Sequence, residues 1–115
     1  MSDEFIALAT KEINEEISGI DDVLNSCNND NDIILKSSKL ERHTHKIKGL
    51  APMMGKEELG ELSSHLDTIL KEIIDGKKVL DIFDIMKESL SEMKNSMNEP
   101  NYDLNPVIGK IKQHL

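Results

Sequence analysis

The segment ERHTHKIKGLAPMMG, residues 41–55, carries two of the chain's four histidines, with one threonine between them. Near neutral pH an imidazole can serve as a metal ligand, an acid–base group or a nucleophile. Which of these is open to His43 and His45 depends on the face of the chain each one occupies. Leu40, Ile47, Leu50, Ala51 and Met54 recur at helical spacing and define a buried stripe. His43 and Thr44 lie four and three residues before Ile47, which puts them on or beside that stripe. His45 is two residues from Ile47, a rotation of about 200°, and is expected to point away from the core. The same divergence keeps His43 and His45 from closing on one metal ion, and no CxxC pair is present. A metal site drawn from His43, His45, His65 or Cys27 is therefore not expected.

Around His45 the expected neighbours are Glu41 and Arg42 before it and Lys48, Gly49 and Pro52 after it. A glycine inside a helix costs about 1 kcal/mol relative to alanine. Gly49 thus suggests that another molecule approaches the backbone closely beside an exposed imidazole.

These residues need a scaffold, and the apolar periodicity supplies one. Helices are predicted over about 3–24, 33–53, 56–75, 80–97 and 106–114. The first has Phe5, Ile6, Ala9, Ile13, Ile17, Ile20 and Leu24 on one stripe, and SCNNDND (26–32) forms the loop after it. Asp32 or a neighbouring asparagine is the expected cap of the second helix. Pro52 lies in that helix's last turn and should kink or end it, with Gly55 as the stop. The third helix places Asp67 on the rim beside Leu66, with Lys71 one turn on. Asn105 and Pro106 are expected as cap and first residue of the last helix. Short connections imply antiparallel neighbours. The expected fold is all-α: an antiparallel four-helix bundle with a short fifth C-terminal helix, in one domain over 1–115.

Composition agrees and narrows the function. Aromatic residues are only 3% of the chain, so aliphatics and six methionines must build the core. No apolar run is long enough to span a membrane and no signal peptide is evident, which implies a cytoplasmic chain without a membrane partner. The net charge of −8 is carried by residues 1–32, with nine acids against Lys11, and argues against nucleic acid. Lys36, Lys39, Arg42, Lys46 and Lys48 face only Glu41, and that local excess of positive charge suits an acidic partner.

HKIKGLAPMMG resembles the signature of histidine phosphotransfer domains, H-x-x-K-G with a second glycine ten residues after the histidine. His45, Lys48, Gly49 and Gly55 occupy those positions, and the match does not work from His43. GLAPMMG and the helix order are most similar to the N-terminal phosphotransfer domain of chemotaxis histidine kinases. The resemblance implies that His45 accepts a phosphoryl group from ATP through a kinase catalytic domain, acting in cis or in trans. It then passes the group to an aspartate of a response-regulator receiver domain. Lys48 would stabilise phosphoryl charge. Asp67, at the position where that family carries a glutamate, would orient the imidazole. Arg42, Lys46 and Gly49 would meet the partner, whereas Pro52 and Gly55 shape the helix end. The family often has a second histidine three residues before the acid; here Ser64 stands there and His65 follows.

The resemblance further implies a longer kinase as parent and a monomeric isolated domain. ATP and magnesium would belong to the partner domains, since no Gly-rich phosphate loop is present and this domain is expected to bind no cofactor itself. The alternative is a helical protein-interaction module without phosphotransfer activity.

Overall fold

A computed structural model describes residues 2–115, and among them no strand occurs. Six helices follow one another: α1 (Asp3–Asn25), α2 (Asp30–Leu35), α3 (Ser37–Met53), α4 (Glu57–Ile74), α5 (Ile82–Asn98) and α6 (Asn105–Lys112). Ser2 caps α1 by accepting the Phe5 N–H, and Asp3 and Glu4 place negative charge at its positive end. Ala9, Ile13, Ile17, Ile20 and Leu24 of α1 are buried. Ile6 is exposed and Phe5 only half-buried, so the first turns of α1 run past the core that the stripe was expected to reach.

The single helix predicted over 33–53 is two helices. Lys36 adopts φ −110° and ψ 12°, closing α2 and opening α3. Asn29 caps α2 through the Asp32 N–H, and Asp32 accepts the Asn28 N–H in return. Ile33, Leu40 and Ile47 stand seven residues apart and are all buried, so the interruption at Lys36 keeps their common apolar face while Leu35 stays exposed.

α3 packs most extensively on α4, and α1 lies against α3 and α5. Helices α3 and α4 both end in Schellman motifs. Gly55 (φ 83°) and Gly76 (φ 103°) take the left-handed positions, and the Lys56 and Lys77 N–H groups return to the Ala51 and Glu72 carbonyls at 2.9 Å. α3 continues through Pro52 to Met53 before stopping. The Pro52 ring rests on Gly60 of α4, where a Cβ would meet Pro52 Cγ at 2.7 Å. That contact lets α3 and α4 approach closely at their shared turn.

Two carboxylates cap helices distant in sequence. Asp30 accepts the N–H groups of Asp81 and Phe83 at 3.0 and 2.9 Å, tying the start of α5 to α2. Glu58 accepts the Leu104 N–H at 2.9 Å. Leu104, not Asn105, is the N-cap of α6, while Asp103 accepts the Asn105 N–H. α5 likewise starts at Ile82, two residues later than predicted, because Asp81 adopts φ 64° and leaves Leu80 outside. The buried side chains of all six helices join one aliphatic cluster. The radius of gyration is 13.5 Å, close to the ~13 Å of a compact chain this long. No described helix is long and apolar enough to cross a membrane.

Candidate functional site

α3 displays its two histidines on different sides. His43 lies against α1: its Nδ1 is 2.8 Å from Glu16 Oε1, and its ring covers Gly19, where a Cβ would collide with it. Thr44, fully buried, donates to the Glu41 carbonyl at 3.0 Å. His45 has a side chain 60% exposed and presents its Nδ1 edge to α4.

At that edge two carboxylates converge. Asp67 Oδ2 lies 3.5 Å from His45 Nδ1, and Glu41 Oε2, one helical turn before His45, lies 3.7 Å away. Asp67 is only 1% exposed, a correction to its expected place on the rim. An isolated buried carboxylate would be costly, and two ammonium groups offset that cost. Lys71 Nζ sits 3.1 Å and Lys48 Nζ 3.6 Å from the same Oδ2. Asp67 Oδ1 is also buried and receives no hydrogen bond from the described residues.

The two carboxyls move in opposite directions. Burial works to lift that of Asp67. The adjoining Glu41 carboxyl, then the Lys71 ammonium and the His45 ring, outweigh it and hold Asp67 below the ordinary carboxylate range. Glu41 is raised, chiefly by the adjoining Asp67 carboxyl and by burial, against the pull of His45 and Lys71. Two adjacent carboxylates resist ionising together, and the lysines decide which one keeps the charge.

Glu41, His45 and Asp67 also offer three ligand atoms within 4.8 Å of one another, the only such group among the described residues. The ammonium groups of Lys48 and Lys71 already bring positive charge onto Asp67, which opposes a divalent cation there. The geometry is better suited to orienting a ring. With both acceptors at Nδ1, the Nδ1–H tautomer is favoured and Nε2 keeps its lone pair on the exposed side.

The other expected site residues distribute around this centre. Among the described residues nothing lies within 4 Å of the position a Gly49 Cβ would take, so their packing does not require glycine there. Together with Leu50 and the exposed Met53 it borders an open groove between α1 and α3. His45 and Lys46 stand at the same groove, facing Glu12, Glu15 and Glu16 of α1. Lys46 pairs with Glu16 at 3.7 Å, and Arg42 is exposed with no ion pair among the described residues. Pro52 and Gly55 act in the α3–α4 turn. The Ser64 carbonyl accepts from Thr68 Oγ1, and His65 turns to Glu61 at 3.7 Å with Nε2 buried; among the described residues neither has a hydrogen bond or ion pair with His45.

Two members of the cluster, Glu41 and Lys71, were expected beside His45 and Asp67 respectively but were given no role in the site. The signal was helical spacing: Glu41 precedes His45 by four residues and Lys71 follows Asp67 by four. No protein-family model, no curated protein and no solved structure matches this chain.

Proposed function

We propose that the chain is a phosphoryl carrier of the histidine phosphotransfer type, with His45 as phosphoacceptor and the helices arranged as a four-helix bundle of α1, α3, α4 and α5. The observation that carries this reading is the exposed His45 ring with its Nδ1 edge 3.5 Å from a buried carboxylate flanked by two lysines. A nucleophilic imidazole needs one nitrogen protonated and held and the other bare and accessible. In the proposed reaction the Nε2 lone pair forms a bond to the γ-phosphorus of ATP held by a kinase catalytic domain. The bond from that phosphorus to the bridging oxygen breaks and ADP leaves. The Nδ1–H stays in place, and the positive charge that the ring acquires faces Glu41 and Asp67.

Phosphoryl transfer depends mainly on positioning and charge stabilisation. Lys48, 41% exposed, can turn from Asp67 to the phosphoryl oxygens while Lys71 continues to neutralise the carboxylate. The second half-reaction returns the group to an aspartate of a receiver domain, whose acidic pocket would meet Arg42 and Lys46 beside the open backbone at Gly49. ATP and magnesium belong to those partners in this scheme.

The test is incubation with a cognate kinase domain and ATP labelled at the γ-phosphate. Acid-labile, base-stable label is expected on the wild-type chain and none on His45→Gln. Label that persists in that variant would remove His45 from the role.

A further inference from the structure

We propose that Glu41 is a second positioning residue for His45, sharing the Nδ1–H with Asp67 and holding the ring in the tautomer that leaves Nε2 bare. The inference deepens the carrier reading and rests on it.

The geometry gives the two carboxylates different work. Asp67 comes from α4, is buried, and has both Lys48 and Lys71 on the oxygen that faces the ring. Much of its charge is therefore spent on the lysines. Glu41 comes from α3 itself, fixed one turn from His45 by the helix, and among the described residues its only ion pair is with Nδ1. The Lys71 charge reaches it only from beyond ion-pair distance. Other charged groups near the ring are Arg42 and Lys46 on α3 and Glu12, Glu15 and Glu16 of α1 across the groove, of which Glu16 is taken up by His43 and Lys46.

Glu41 and Asp67 also sense one another. Asp67 is the main cause of the upward movement of the Glu41 carboxyl. When Glu41 is ionised, the ring has two acceptors at Nδ1 and none at Nε2, so the nucleophilic tautomer prevails. When the ring becomes cationic on gaining a phosphoryl group, the same carboxylate faces the new positive charge. Asp67 thus fixes the ring from the neighbouring helix, and Glu41 tunes it.

The test compares wild type with Glu41→Gln, which keeps the shape and loses the charge, and Glu41→Asp, which restores the charge on a shorter arm. The His45 tautomer is read from the ring 15N shifts. Glu41→Gln is expected to enrich the Nε2–H tautomer ~2–5-fold. Glu41→Asp should recover at least half of that change. Labelling by phosphoramidate should fall ~2–5-fold.

A purely structural role would leave the tautomer unchanged in Glu41→Gln, and that result would overturn the proposal. The isosteric variant is checked for intact folding by its melting curve. A wild-type chain that phosphoramidate and a kinase both fail to label would instead remove the carrier reading, whatever the tautomer shows.

Discussion

The two sides of α3 are built from similar parts and arranged for different ends. Toward α1, His43 meets one carboxylate at 2.8 Å, covers Gly19 and is mostly withdrawn from solvent. Toward α4, His45 meets two carboxylates at longer range, has two lysines behind them and stays mostly exposed beside a glycine with nothing over it. A short hydrogen bond into a packed contact fixes two helices together. A looser, charged arrangement under an open ring leaves one nitrogen to react. Chemical identity alone does not separate the two histidines; the environment each helix face provides does.

The sharpest way to break this contrast is exchange at the two rings. His45→Gln is expected to abolish phosphoryl acceptance, whereas His43→Gln should leave labelling within about twofold and cost ~1 kcal/mol of stability through the lost Glu16 bond. Labelling together with denaturant unfolding checks both. Next in size is the carboxylate pair. Asp67→Ala should slow labelling ~10–100-fold while the chain remains folded, because a mispositioned ring forfeits alignment. Glu16→Gln, the matching change on the other side, should alter the labelling rate less than twofold. An unchanged rate in Asp67→Ala would refute its orienting role.

The pH dependence of stability separates the two carboxyls at His45. Asp67 is held low, so its contribution is present above its unfolded value of about pH 4 and is lost as pH falls through the folded value. Glu41 is raised, so its contribution is present at acid pH and is lost as pH rises from about 4.3 through its folded value. Glu41→Gln is therefore expected to raise Tm by ~1–3 °C at pH 7, with the gain vanishing below about pH 4, even as it slows labelling. Thermal melts across that range decide it.

The smallest effects come from two glycines and carry opposite signs. Gly49→Ala should stabilise by ~0.5–1 kcal/mol, since a Cβ there meets nothing and helix propensity improves. A bulkier residue at Gly49 should slow transfer to the receiver without loss of Tm. Gly19→Ala should destabilise by ~1–3 kcal/mol because the new Cβ overlaps the His43 ring. Equal signs at the two positions would contradict the assignment of one face to packing and the other to docking.

Much of the site could be read from helix phase. Ile47 and Leu40 set the buried stripe of α3, and one rotation separated His45 from His43. The burial of Asp67 could not be read in the same way, because a lone aspartate beside Leu66 looks like a rim residue until Lys48 reaches it from another helix and Lys71 from its own. The break at Lys36 was hidden for another reason. DIILKSSKLERH contains no glycine or proline, and the seven-residue spacing of the buried Ile33, Leu40 and Ile47 carries the apolar pattern unbroken across it. The caps that Asp30 and Glu58 provide lie 51 and 46 residues from their partners, beyond any local pattern. Local periodicity reports which face a residue occupies. Charge compensation across helices does not repeat with any period, and it is what completes the surroundings of His45.

The most direct measurement is the site of the phosphoryl group itself. After treatment with phosphoramidate, phosphorus–nitrogen coupling in the 15N-labelled protein should place the group on Nε2 of His45, with Nδ1 still protonated. A group on Nδ1 of that ring, or on His43, would contradict an imidazole held by its Nδ1 edge and reactive at the other.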